Sequence, residues 1–264
     1  MSKLRQIYDE VARIHRDGGA VALATVIGTR GSTPGKATMK MLIRPDGSSV
    51  GSVGGGCVEA EVLERSFEVL RSGLSQRVQV ELNEADNPET GLVCGGHIEI
   101  FIEPISMPTI ILFGAGHVAR AICNFAAPAG FRVEVWDDRE GFATSEQFPL
   151  ATVRRTQPFA EAARELRVGP DRFVLIMTRG HRQDLEVLRA LAANRIDVPY
   201  LGLIGSKSKF LTLKKHLLAE GVEASFLERV RTPIGLPIGA QTAEEIAISV
   251  LAELIQLRRL GPSS

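Results

Sequence analysis

Residues 109–138 read TIILFGAGHVARAICNFAAPAGFRVEVWDD, and this stretch decides the fold. Thr109–Phe113 is a short apolar run with the β-branched content of a buried strand. Gly114-Ala115-Gly116-His117-Val118-Ala119 follows at once, and residues 117–127 have helical spacing until Pro128 breaks it. Arg132–Trp136 forms a second strand that ends in Asp137-Asp138. A glycine turn between a strand and a helix, with an acid about twenty residues further on, is the context a dinucleotide fingerprint requires. Ala119 stands at the third glycine position, an allowed variant. In that reading Gly114 and Gly116 admit a pyrophosphate, His117 opens the helix, and the Asp137 carboxylate holds a ribose hydroxyl. The alternative is a turn kept for packing alone.

Outward from this unit the alternation continues. A weak strand near 151–154 precedes a helix at 159–167, and Phe173–Met177 is a strand followed by a helix at 182–193. Tyr200–Ile204 is another strand, with a helix over roughly 208–219. Strand alternating with helix predicts a doubly wound parallel sheet, so residues 108–264 read as a Rossmann-like domain. Near the end, Pro233, Gly235, Pro237 and Gly239 make a turn-rich loop. Thr242 and Glu245 then form a capping box before a helix buried through Ile246, Val250, Leu254 and Leu257.

Residues 1–107 have a different rhythm. Leu4, Ile7, Val11 and Ile14 predict a helix over 3–16 that Gly18-Gly19 stops. Ala20–Ile27 is a short strand, and TRGSTP (29–34) has loop chemistry. Met39–Arg44 and Ser48–Val53 flank Pro45-Asp46-Gly47, a hairpin signal. Residues 58–71 are helical, and Arg77–Leu82 and His97–Ile102 alternate as strands. The fold class is therefore α/β, with a small N-terminal α+β domain ahead of the doubly wound one.

Composition bounds the function. The 264 residues are 44% hydrophobic and 23% charged, with 31 basic and 31 acidic side chains. Zero formal charge, with neither half strongly basic, argues against nucleic-acid binding. No apolar run approaches the roughly 20 residues of a membrane span, and residues 1–15 lack the pattern of a signal peptide. Three cysteines without a CxxC argue against a disulfide framework or structural zinc, so a reducing cytoplasm is the expectation.

Four constellations can carry chemistry. In Gly51–Glu59 (GSVGGGCVE), three consecutive glycines run into a helix. Gly54, Gly55 and Gly56 allow close approach of a ligand to backbone N–H groups, which suits a phosphate. Cys57 falls at the helix start, where the macrodipole and the amides favour a thiolate; the bland reading is a tight turn with a buried Cys. In Gly91–Gly96 (GLVCGG), Cys94 again sits among glycines. Two thiols on two loops of one domain either face a common site for a soft metal or transferable sulfur, or are unrelated core residues. Cys123 lies mid-helix and reads as packing. The third constellation is the fingerprint itself. The fourth is Thr178-Arg179-Gly180-His181 with Asp184, beside Gly205-Ser206-Lys207 at the end of the next strand. His181, Ser206 and Lys207 then stand on the rim where open α/β sheets bind ligands.

Together these segments resemble the xanthine dehydrogenase accessory family of the XdhC/CoxI type. GSVGGGCVEAEV and GLVCGGHIEIFIEP are similar to its N-terminal domain. FGAGHVA, Asp137-Asp138, TRGHRQDLEVL, YLGLIGSKSK and TPIGLPIGAQTAEEIAISVLAELI are similar, in order, to its C-terminal domain. The stretch Pro34–Thr38 departs from the family's usual sequence. The resemblance implies a maturation factor rather than a turnover enzyme. Such a factor binds the molybdenum cofactor (molybdopterin), supports installation of its terminal sulfur with a cysteine desulfurase as donor, and delivers it to an apo molybdenum hydroxylase. The client is then a xanthine dehydrogenase, or a carbon monoxide dehydrogenase-like or aldehyde oxidase-like enzyme, the branch toward which TRGH leans. It also places Cys57, a possible molybdenum contact, and Cys94 at the cofactor or sulfur. A homodimer is expected, because a shielded cleft for a large cofactor is commonly built at an interface. The rival reading is an NAD(P)-dependent oxidoreductase that binds NAD(P) or another nucleotide at the fingerprint.

Overall fold

The computed structural model describes residues 2–82, 96–166, 169 and 171–260. By its internal contacts the chain divides into two compact units, Met1–Met107 and Pro108–Ser264.

In the first unit, α1 (Lys3–Asp17) leads into β1 (Ala20–Gly31), β2 (Lys40–Ile43) and β3 (Ser49–Gly51). Then come α2 (Gly56–Ser72), β4 (Gln76–Leu82) and β5 (Gly96–Ser106). The strands form one antiparallel sheet in the order β3-β2-β1-β5-β4. Successive strand side chains point to opposite faces, and β1 uses both. Ala22, Ala24 and Val26 pack with Val58, Val62 and Val69 of α2, whereas Val21 and Leu23 pack with Ile7 and Ile14 of α1. β1 is longer than its sequence predicts. Thr29, Arg30 and Gly31 belong to the strand and pair with Ile98, His97 and Gly96, after a register shift between Val26 and Gly28. A bulge lets a strand bend and continue, so pairing with β5 overrides the local turn signal. β5 also runs past its predicted end, through Pro104. Pairing with β4 begins only at Ile102, so at Pro104 the strand is an edge on that side, where proline is tolerated.

In the second unit the order is β6 (Thr109–Phe113), α3 (His117–Ala126), β7 (Arg132–Asp137), β8 (Val153–Thr156) and α4 (Phe159–Arg164). There follow β9 (Arg172–Ile176), α5 (His181–Ala193), β10 (Tyr200–Leu203), α6 (Lys207–Ala219), α7 (Ala224–Glu228), β11 (Val230–Arg231) and α8 (Ala243–Leu260). All pairings are parallel, in the order β11-β10-β9-β6-β7-β8. Counted from β6, this is the 3-2-1-4-5-6 order of a doubly wound dinucleotide-binding sheet. β6, β9 and β10 are buried along their whole length, which explains their continuous apolar runs. One core lies beneath α3 and α8 and the other beneath α4, α5 and α6.

The predicted capping box opens α8. The Glu245 carboxylate accepts from the amides of Gln241 (2.7 Å) and Thr242 (3.1 Å), and Glu245 N–H donates to Thr242 Oγ1 (3.2 Å). Val250 and Leu254 are fully buried as the spacing predicts, each worth about 1.5–3 kcal/mol of burial. Ala247 takes the central place, and Ile246 and Leu257 lie partly buried at its margin.

Candidate functional site

In the N-terminal unit, β3 and the start of α2 are joined by Ser52–Gly55, and the structure sorts the glycines there by role. A Cβ on Gly54 would lie 2.8 Å from the Gly35 nitrogen, and one on Gly35 would lie 2.4 Å from the Val53 carbonyl oxygen. These two glycines let the Pro34-Gly35 segment press against the loop. Gly55 and Gly56 differ. Their φ values are +83° and +55°, and a Cβ on either would meet nothing within 4 Å among the described residues. Among the described residues the backbone next to Cys57 is therefore open, and Cys57 itself is exposed in the first turn of α2.

The three amides are not equally available to an anion. Gly54 N–H donates to Ser52 Oγ (3.3 Å) and Gly55 N–H to Glu59 Oε1 (3.0 Å), which also accepts from Ser52 Oγ (2.6 Å). Glu59 reaches back to the N-cap amide much as a capping box does. A phosphate at this loop would have to displace a carboxylate. The geometry suits a neutral or soft group at the Cys57 sulfur better than the phosphate cradle that the three glycines suggest.

Cys94 lies outside the described residues. Gly96, where the described chain resumes, would bring a Cβ 2.5 Å from the Ser32 carbonyl oxygen and 2.6 Å from Thr33 Cγ2. The loop carrying Ser32, Thr33 and Gly35 thus abuts both the start of β5 and the Gly54 turn. His97 pairs with Glu81 through Nδ1 at 2.9 Å. Among the described residues no cluster of three or more His, Cys, Asp or Glu side chains forms a metal site. Cys123 is fully buried, and burial pushes its thiol up to about 11, which fits packing and not chemistry.

In the C-terminal unit the switch of winding direction falls between β6 and β9, and ligands of open α/β sheets bind at the carboxyl ends of such a pair. A crevice of about 430 Å³ lies there, lined by Ala115–His117, Arg120, Arg139, Phe142, Gln147 and Met177–Arg179. Gly114 (φ +112°) is required by packing, since its Cβ would lie 2.4 Å from the Met177 carbonyl oxygen. Gly116 faces open space. No side chain caps the start of α3.

Asp137 ends β7 where the fingerprint predicts, but it is only 1% exposed. Its Oδ1 accepts from the backbone N–H and Nε of Arg139 (3.0 and 2.8 Å). Its Oδ2 accepts from Ala115 N–H (2.8 Å) and Arg139 Nη2 (3.0 Å). Burial pushes this carboxyl up, but the Arg139 and Ala115 hydrogen bonds outweigh it and hold it below its usual range. Four donors fill the roughly four lone-pair sites of a carboxylate. The acceptor read from the sequence for a ribose is thus used internally, to fix the glycine turn and Arg139.

His181 and Arg182 begin α5 as exposed residues, and His181 does not line the crevice. The neighbouring Asp184 is fully buried. It accepts from Thr178 Oγ1 (2.6 Å) and pairs with Lys209 Nζ (2.6 Å). Ser206 caps α6, its Oγ accepting from Lys209 N–H, and Lys207 is exposed. So the TRGH and GSKSK segments do meet, through Asp184 and Lys209. Sequence reasoning missed Lys209, Arg120, Arg139 and Arg179. The signal was present in part, since Arg139 stands two residues after Asp137 and Arg179 lies inside TRGH.

This architecture defines a class: an antiparallel α+β unit bearing an exposed glycine-flanked cysteine, followed by a dinucleotide-type sheet with a cationic switch-point crevice. The chain belongs to the XdhC and CoxI family. The model described as the XdhC Rossmann domain matches residues 110–254, and that of the XdhC and CoxI family matches residues 14–81. It is 37% identical to YqeB of Escherichia coli K12 over 97% of its own length, and it spans only about half of that protein, 47%. It is 23% identical to the molybdenum cofactor insertion chaperone PaoD of E. coli K12, covering 91% of this chain and 84% of PaoD. A crystal structure described as a xanthine dehydrogenase from Bacillus halodurans is similar over 100% of this chain and 97% of that one, with TM-score 0.51 and 25% identity.

Proposed function

We propose that this protein is a molybdenum cofactor chaperone that supports maturation of a molybdenum hydroxylase. The single observation that carries the reading is Cys57: an exposed thiol in the first helical turn, beside two glycines whose Cβ positions are empty. An exposed soft sulfur ligand suits a dithiolene-bound metal. Family membership and the likeness to PaoD supply the cargo. The client is an apo molybdenum hydroxylase, with sulfuration of the cofactor, supplied by a cysteine desulfurase, occurring while it is held. Cys94 joins Cys57 in this role, and the working form is a homodimer in the cytoplasm. No helix among the described residues is long and apolar enough to cross a membrane.

The oxidoreductase reading is weakened for NAD by Asp137, whose carboxylate has no lone pair left for a ribose diol; the 2′-phosphate of NADP does not need that acceptor. The test is reconstitution. Apo-hydroxylase incubated with free cofactor and a sulfur donor should gain activity faster and to a higher level when this protein is present. Equal activation with and without it would defeat the proposal.

A further inference from the structure

The crevice between the carboxyl ends of β6 and β9 has a wall of one charge. Arg120, Arg139, Arg179 and His117 line it, and among the described residues no carboxylate does. The acids stand behind the arginines. Asp137 grips Arg139 through two side-chain hydrogen bonds, and Asp138 grips Arg179 through two more. Arg139 is further fixed by Phe142, whose ring centroid lies 3.4 Å from its guanidinium carbon. Arg120 donates from Nη2 to Gln147 (2.9 Å), and its buried Nε has no hydrogen-bond partner among the described residues. A guanidinium has five N–H donors, so each arginine keeps donors beyond those engaged. The α3 start faces the same space, and the empty Cβ position of Gly116 lets a ligand approach it.

We infer that this crevice binds the terminal phosphate monoester of a small organic cofactor, and that it does not recognise a nucleotide through a ribose diol. A dianion matches pre-positioned planar forks, whereas a diol needs a carboxylate acceptor that Asp137 no longer offers. Another, larger cavity of this unit, about 760 Å³, differs in its lining. It includes Arg189, Arg195 and Arg229 but also Glu220 and Glu223, and Arg189 is paired bidentately with Glu220. Its wall is mixed in sign and gives a dianion no comparable site. Two sources share the inferred chemistry: the phosphate on the pterin of the molybdenum cofactor, and the 2′-phosphate of NADP. Resting on the function proposed above, the pterin phosphate is assigned here.

The test uses the full chain and phenyl phosphate as a probe, titrated calorimetrically at low salt, where phosphate contacts are least screened. Wild type should bind it, Arg120→Gln and Arg179→Gln should each weaken binding about tenfold or more, and Arg189→Gln should bind as wild type. Melting temperatures identify any variant that fails to fold, and Arg179→Lys, which keeps the charge but loses the fork, should then show the loss. Absence of binding, or equal binding in all variants, overturns the inference. In competition, displacement by molybdenum cofactor supports the pterin source. Displacement by NADP+ and not by the cofactor overturns the pterin assignment. NAD+ competing as well as NADP+ overturns the exclusion of a diol. If the arginine-dependent site is present but the protein never takes up a pterin, the chaperone reading falls and the pterin assignment with it, while the phosphate site itself stands.

Discussion

On the proposed function, Cys57→Ser should leave the protein folded and remove most of its ability to hold and pass on cofactor. The substitution barely changes side-chain size and touches an exposed position, so its effect on stability should stay within about 0.5 kcal/mol. What it deletes is the soft ligand. Retention of cofactor should fall by about tenfold or more, a change of at least roughly 1.4 kcal/mol in binding free energy. Activation of apo-hydroxylase should fall in parallel. Cys123→Ser should do the reverse. That thiol is fully buried among apolar side chains, so the hydroxyl lowers the melting temperature without changing cofactor handling. Cys94→Ser should have a smaller functional effect than Cys57→Ser. The comparison is made by melting temperature and client activation on the three variants side by side. Full activation by Cys57→Ser would show that the thiol is not the ligand.

Gly114→Ala should be among the most damaging single methyls in the chain's second unit. It places a Cβ 2.4 Å from the Met177 carbonyl oxygen at φ +112°. Positive φ in a non-glycine residue costs about 1–3 kcal/mol, and forcing the β6 turn away from β9 adds about 1–3 kcal/mol of overpacking. A typical domain has only about 5–15 kcal/mol to lose, so the melting temperature should drop by roughly 10 °C. Gly116→Ala, two residues on, has φ −83° and an empty Cβ position. It should leave the melting temperature nearly unchanged and still weaken anion binding, because the methyl projects into open space beside the α3 start. Thermal denaturation of the pair separates the packing glycine from the binding one. Similar melting temperatures would refute that division.

The sheet of the second unit was legible because its signals agree. Buried parallel strands are apolar throughout, the glycine turn sits between strand and helix, and each loop carries its own punctuation. The first unit was legible in its elements but not in their lengths. Gly28–Gly31 has turn composition, and only the long partner β5 makes it strand. The Cys57 loop could be found from its glycines. That Gly54 packs while Gly55 and Gly56 stand open depends on Gly35, distant in sequence, and no local pattern contains it. Asp137 shows how far spacing reaches and where it stops. The spacing of the fingerprint puts the acid at the end of β7, but whether its lone pairs face a ligand depends on Arg139 folding back onto it. The crevice arginines come from α3, the loop after β7 and the loop after β9, and only the doubly wound order brings them together.

The claim that this chain carries molybdenum cofactor is tested most directly by what it holds when isolated. The measurement is molybdenum and pterin content of the full chain purified under exclusion of air from molybdate-replete cells, with Cys57→Ser prepared in parallel. The account predicts molybdenum and pterin together on the wild type, in equal amounts, and a sharp reduction of both on the variant. A wild-type protein that contains neither, even when isolated with excess cofactor supplied, would contradict it.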